Sequence, residues 1–201
     1  MTLGLDAPTN GLGTKIAMGA AGLVGLVVVL AGAAGAAIAS LLGGADSAAS
    51  PGAMAEIPPA MLVLYQEAAT TCPGLPWAVL AAIGTVESDN DQSSLPGVHS
   101  GANYAGAEGP MQFEPATFAE YDEPVPPGGA VPPSPYDPVD AVYAAARDLC
   151  ANGAAAGADL SAAVFAYNHS AAYVAEVLDL AAARGGQSEA ETTTTAQGLR
   201  P

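Results

Sequence analysis

The stretch from Ile16 to Leu42 contains no charged residue. As a helix its 27 residues would be about 40 Å long, enough to cross a hydrocarbon core of about 30 Å with some tilt. Lys15 precedes the stretch, while Asp46 and Glu56 lie beyond its other end, which places residues 1–15 in the cytoplasm by the positive-inside rule. Two main readings of residues 16–42 stay open. One is an uncleaved transmembrane anchor; the other is a signal segment with a small-residue cleavage site at Ala37-Ile38-Ala39. Both export the rest of the chain, and a buried core helix is the residual alternative. A single-pass membrane protein with its folded part outside the cell is therefore expected, or a secreted one after cleavage.

Residues 43–56 are rich in Gly, Ala and Ser and include Pro51, the composition of a flexible linker. Residues 185–201 hold a run of four threonines without apolar periodicity and read as a disordered tail. The folded domain then spans residues 57–184, about 130 residues, enough for one core. Twenty acidic residues against four basic ones give a net charge of -16, so nucleic acid is excluded as a partner, because phosphate binding needs clustered Lys and Arg. Cys72 and Cys150 are the only cysteines, and an even pair in an exported domain reads most simply as a disulfide; two separate buried thiols are the alternative. His99 and His169 are far apart and neither neighbours a cysteine, so no metal and no cofactor are expected.

Within 57–184 the apolar spacing is helical throughout, and no strand alternation occurs. Met61, Leu62, Tyr65 and Ala69 form one face of a helix over 59–69, which Pro73-Gly74 breaks. Pro76 opens a second helix to about Ser88, with Leu80, Ile83, Gly84 and Glu87 on one face. A polar, Gly-rich loop runs from Asp89 to Glu108, too long to be a mere connection. Pro115 starts a short helix to Tyr121, and six prolines in residues 122–136 make a second long loop. Asp137-Pro138, with Asp140 in a capping-box-like position, starts a helix that ends near Cys150 before Gly153. Asp159 or Ser161 caps a helix to Asn168, and a last helix carries Tyr173, Val174, Val177, Leu178 and Ala181. The expectation is an all-α domain of five or six helices with two long loops, preceded by the N-terminal helix.

Glu87 continues an apolar face at the last turn of its helix. Desolvation there disfavours the charged carboxylate and raises its pKa, as a general acid requires. Helix pattern alone fits a solvated surface Glu equally well. Glu87-Ser88 is followed by Gly109-Pro110-Met111-Gln112 and then by Ala166-Tyr167-Asn168. In that ordered trio, over nearly all of residues 57–184, the chain resembles the lytic transglycosylase family of goose-type-lysozyme-like fold, in its actinobacterial type. The sequence departs from the family pattern just after the acid, where it reads Ser88-Asp89-Asn90-Asp91-Gln92.

The resemblance implies a lysozyme-like fold with Glu87 as catalytic acid. It implies that Met111 and Gln112 border the cleft and that Tyr167 and Asn168 face acid and sugar; Ser100 and Tyr104, on the long loop, are further candidate contacts. The implied substrate is the glycan strand of peptidoglycan, cut between N-acetylmuramic acid and N-acetylglucosamine with a 1,6-anhydro product. Two competitors remain. A hydrolytic muramidase on the same fold would need a second carboxylate, for which Asp89, Asp91, Glu108 and Glu114 are near enough in sequence. A non-catalytic wall-binding protein would leave Glu87 without a task.

Overall fold

A computed structural model describes residues 47–185. The expected span at 16–42, the cytoplasmic segment 1–15 and tail residues 186–201 lie outside them. Among the described residues there are seven α-helices, no strand and two isolated bridges. The helices are α1 (Pro51–Glu56), α2 (Pro59–Ala69), α3 (Trp77–Ser88), α4 (Pro115–Tyr121), α5 (Pro138–Leu149), α6 (Leu160–Asn168) and α7 (Ala171–Arg184). No helix among the described residues is long and apolar enough to cross a membrane.

α3 is the axis of the domain. Every residue from Trp77 to Gly84 is buried, so this helix is apolar all round and lies inside the bundle. α2 and α7 pack along it, and α5 lies against α2. Gly84 permits the close approach of α2, because a Cβ there would run into the Tyr65 hydroxyl. That hydroxyl donates to Asn90 Oδ1 at 3.3 Å, and Thr85 Oγ1 donates to the same oxygen at 3.1 Å. Asn90 is buried and, with Asp89 and Asp91, has positive φ. The segment that departs from the family pattern is thus a left-handed turn fastened to the core, and it closes α3 just after Glu87.

Residues 51–56, expected to be linker, form α1 instead. Ser50 caps the helix by accepting from Ala53 N, and Pro51 sits where its missing N–H costs nothing. Ala53 and Ile57 are buried, and Ser50 N donates to the Arg184 carbonyl at 2.9 Å. Arg184 is itself buried, reaching the Ala81 carbonyl at 3.4 Å and Glu56 at 3.7 Å.

Asp140 does not serve as the expected capping-box partner. Asp137 caps α5 alone, accepting from Val139 N and Asp140 N, while Asp140 Oδ2 accepts from Ala130 N at 3.1 Å and Ser134 N at 2.9 Å. Asp140 is fully buried and pins the proline-rich 122–136 loop to α5. At the other end of α5, Cys72 and Cys150 form the expected disulfide, with Cα atoms 5.6 Å apart. It ties the turn before α3 to the end of α5. Gly153, at φ 126°, then makes the reversal that leads into α6, which Asp159 caps.

Candidate active site

Where α3 ends, Glu87 reaches a cleft of about 630 Å³. The turn after residue 108 forms one wall, α4 and the end of α5 a second, and the C-terminal half of α6 a third. The 108–113 wall is a tight turn in which Glu108 and Phe113 exchange both backbone hydrogen bonds at 2.9 Å. Gly109 takes positive φ there, and a Cβ on it would run into the Pro135 carbonyl. Gln112 also has positive φ, at 48°. Its side chain holds that conformation: Nε2 donates to the Gly109 carbonyl at 2.7 Å, and Oε1 accepts from Asn103 Nδ2 at 2.9 Å. Asn103 Oδ1 in turn accepts from Ala105 N and Ala107 N, so the 89–108 loop is joined to the turn.

Tyr167, from α6, donates to the Met111 carbonyl at 2.6 Å. Its ring meets Phe113 edge-on with centroids 5.6 Å apart. The motif segments around Gln112 and Tyr167 are therefore physically connected, and together they shape the turn that borders the cleft of Glu87.

Glu87 is largely removed from water, and burial raises its pKa from the ordinary 4.5 to about 7. Tyr173, on α7, donates to Glu87 Oε1 at 2.6 Å, which pulls in the opposite direction by favouring the ionised form. Burial and the neighbouring carboxylate push the Tyr173 phenol far up, so it remains a donor. Among the described residues no group hydrogen-bonds to Glu87 Oε2. A carboxyl group that titrates near 7 can both give and take a proton at neutral pH.

The family model of the transglycosylase SLT domain matches residues 65–189. The chain belongs to this family. With that membership comes a peptidoglycan lytic-transglycosylase type of function in general terms. Comparison with curated proteins and with solved structures finds no match.

Of the residues singled out in sequence, Glu87, Gln112, Tyr167, Asn168 and Tyr104 line the cleft of the SLT domain. Tyr104 is fully exposed at its edge. Met111 is buried and contributes its backbone carbonyl, and Ser100 is exposed and not part of the lining. Among the four carboxylates considered as partners for Glu87, Glu114 lines the cleft, whereas Asp89, Asp91 and Glu108 do not. Asp91 instead faces His99 at 3.4 Å.

Two further carboxylates in the cleft, Glu120 and Asp148, belong to none of the sequence motifs. Asp148 is only 5 % exposed, and its pKa is raised to about 6, mainly by burial. Tyr173 and Asn103 are likewise site residues that sequence reasoning misses. The one signal for Tyr173 is a polar hydroxyl on the otherwise apolar inner face of the last helix.

Proposed function

We propose that the cleft cleaves the β-1,4 bond between N-acetylmuramic acid and N-acetylglucosamine, with Glu87 acting first as acid and then as base. Protonated Glu87 gives its proton to the glycosidic oxygen as positive charge builds on the muramic C1. Ionised Glu87 then takes the proton of the muramic C6 hydroxyl, whose oxygen attacks C1. A 1,6-anhydro sugar forms and no water is consumed.

The observation that carries this reading is the position of Glu87 in the cleft, where Tyr173 holds Oε1 and burial raises the carboxyl pKa to about 7. Oε2 is the oxygen left for proton transfer. Tyr167 and Gln112 act by holding the 108–113 turn, and Asn168 is a polar side chain of the lining that can meet the sugar. On this reading the domain works outside the membrane, where peptidoglycan lies, carried there by the anchor or signal segment at 16–42.

A specific observation favours a second reading, because Asp148 offers another carboxylate in the same cleft. With Asp148 as base for water, the product would be a reducing sugar. The first test is release of soluble fragments from purified peptidoglycan by the full-length chain. Glu87→Gln is expected to slow release at least about a hundredfold, the span of general-acid catalysis. Unchanged release would place the catalysis on another residue, and no release by the wild-type chain would favour a non-catalytic, wall-binding domain.

A further inference from the structure

Among the described residues the cleft is acidic and has no ammonium or guanidinium. Glu87, Glu114, Glu120 and Asp148 line it, and apart from the imidazole of His169 no basic side chain does. The chain's four basic residues are Lys15, Arg147, Arg184 and Arg200, of which only Arg147 and Arg184 are described. Arg147 gives its guanidinium to the Tyr121 carbonyl at 2.7 Å and the Pro124 carbonyl at 2.6 Å. Arg184 lies under α1, beside Glu56.

Asp148 differs from the other lining carboxylates apart from Glu87. Glu114 and Glu120 are exposed, whereas Asp148 is buried. A buried carboxylate is ordinarily matched by a cation or by several donors. Among the described residues the Asp148 carboxylate has one donor, Asn152 Nδ2, at 2.7 Å from Oδ1. The facing groups are Glu120 from α4, which adds repulsion, and the phenols of Tyr121 and Tyr167, both pushed up by burial and by the Asp148 charge. Tyr167 feels the charge of Glu87 as well, and all three side chains line the same cleft. Asp148 is thus a buried acceptor with only one carboxylate oxygen hydrogen-bonded among the described residues, and it lines the same cleft as the proton-transferring group.

We propose that Asp148 recognises a primary ammonium group carried by the wall polymer, next to the point of cleavage. This rests on the reading of the cleft as a glycan site. Two parts of peptidoglycan can present that chemistry: the 2-ammonium of a hexosamine that lacks its acetyl group, and the free amine of the diamino residue in the stem peptide. An ammonium supplies the missing donors and charge in a desolvated setting, where a charge-assisted hydrogen bond is strongest.

The test uses full-length Glu87→Gln, which binds without cleaving, and two ligand pairs measured by calorimetry. The first pair is an N-acetylated amino-sugar tetramer and the same tetramer with one free amine. The second is a peptide-bearing disaccharide with its stem amine free or acetylated. One free-amine ligand should bind about tenfold tighter than its acetylated twin, the range of a hydrogen bond between charged groups. The pair that shows the difference identifies the source of the ammonium. Adding Asp148→Asn should reduce the ratio to about twofold or less, and raising the salt concentration should narrow it. Equal binding within both pairs would overturn the proposal, with no change at position 148 needed, and so would a preference that survives Asp148→Asn. Binding of no ligand in either pair would overturn the glycan reading itself, and the proposal with it.

Discussion

Replacing Tyr173 with Phe removes the one hydrogen bond made to the Glu87 carboxyl group among the described residues, the 2.6 Å contact to Oε1. Burial raises the Glu87 pKa to about 7, and Tyr173 opposes that rise by favouring the ionised form. Its loss must therefore move the pKa further up. A hydrogen bond to a charged group contributes about 1.5–3 kcal/mol, and one pKa unit corresponds to about 1.36 kcal/mol. The shift would be about one to two units if nothing replaced the phenol. Glu87 lines an open cleft, so water recovers part of the loss, and about one unit is expected. The readout is the pH dependence of kcat/KM on peptidoglycan, which reports the free enzyme. The active form of the acid is protonated, so activity falls as pH rises through the Glu87 pKa. In wild type that alkaline limb should lie near 7, and in Tyr173→Phe near about 8. A limb that stays in place or moves down would refute the assignment of Tyr173 as a group that holds down the acid's proton affinity.

Glu87→Gln should be more stable than wild type at about pH 8. The folded pKa of about 7 exceeds the ordinary 4.5, so the stability linked to the protonated carboxyl is full below about 4.5 and lost as pH rises through 7. The gap corresponds to about 1–3 kcal/mol, read as a urea midpoint difference that is present at about pH 8 and nearly absent at about pH 4. Serines at both Cys72 and Cys150 should cost about 4 kcal/mol, since the bridge joins positions 78 residues apart. Thermal unfolding reads that loss, and labelling of the unreduced wild-type chain should find no reactive thiol.

Much of the fold is legible in the sequence because helix boundaries here are chemically marked. Pro59, Pro115 and Pro138 each open a helix, Asp137 and Asp159 cap two of them, and Gly153 forces a reversal. The apolar face ending at Glu87 leaves a buried and a solvated acid both open until the motif trio is added, and cysteine parity favours the bridge over two separate thiols. α1 is hidden because Gly, Ala and Ser make the same composition in a linker and in a short helix. Only the burial of Ala53 and Ile57 against the rest of the domain distinguishes the two. Asp140 misleads because its spacing from Asp137 suits a capping box, while its real partners, Ala130 and Ser134, come from a loop with no periodicity.

The site is legible wherever its residues fall in short local motifs, and illegible where distant helices bring them together. Tyr173 meets Glu87 across 86 residues. Asp148 has the local appearance of a solvated helix residue beside Arg147, yet the cleft wall buries it. No spacing rule reveals either arrangement, because both depend on how α5 and α7 pack around α3.

The most direct test of the central claim is cleavage of peptidoglycan by the full-length chain in water enriched in heavy oxygen, with the products weighed by mass spectrometry. Transfer of the muramic C6 oxygen to C1 predicts 1,6-anhydro products without the heavy isotope, one water lighter than a reducing sugar. Reducing muramic ends carrying heavy oxygen would contradict the account and make the chain a hydrolase.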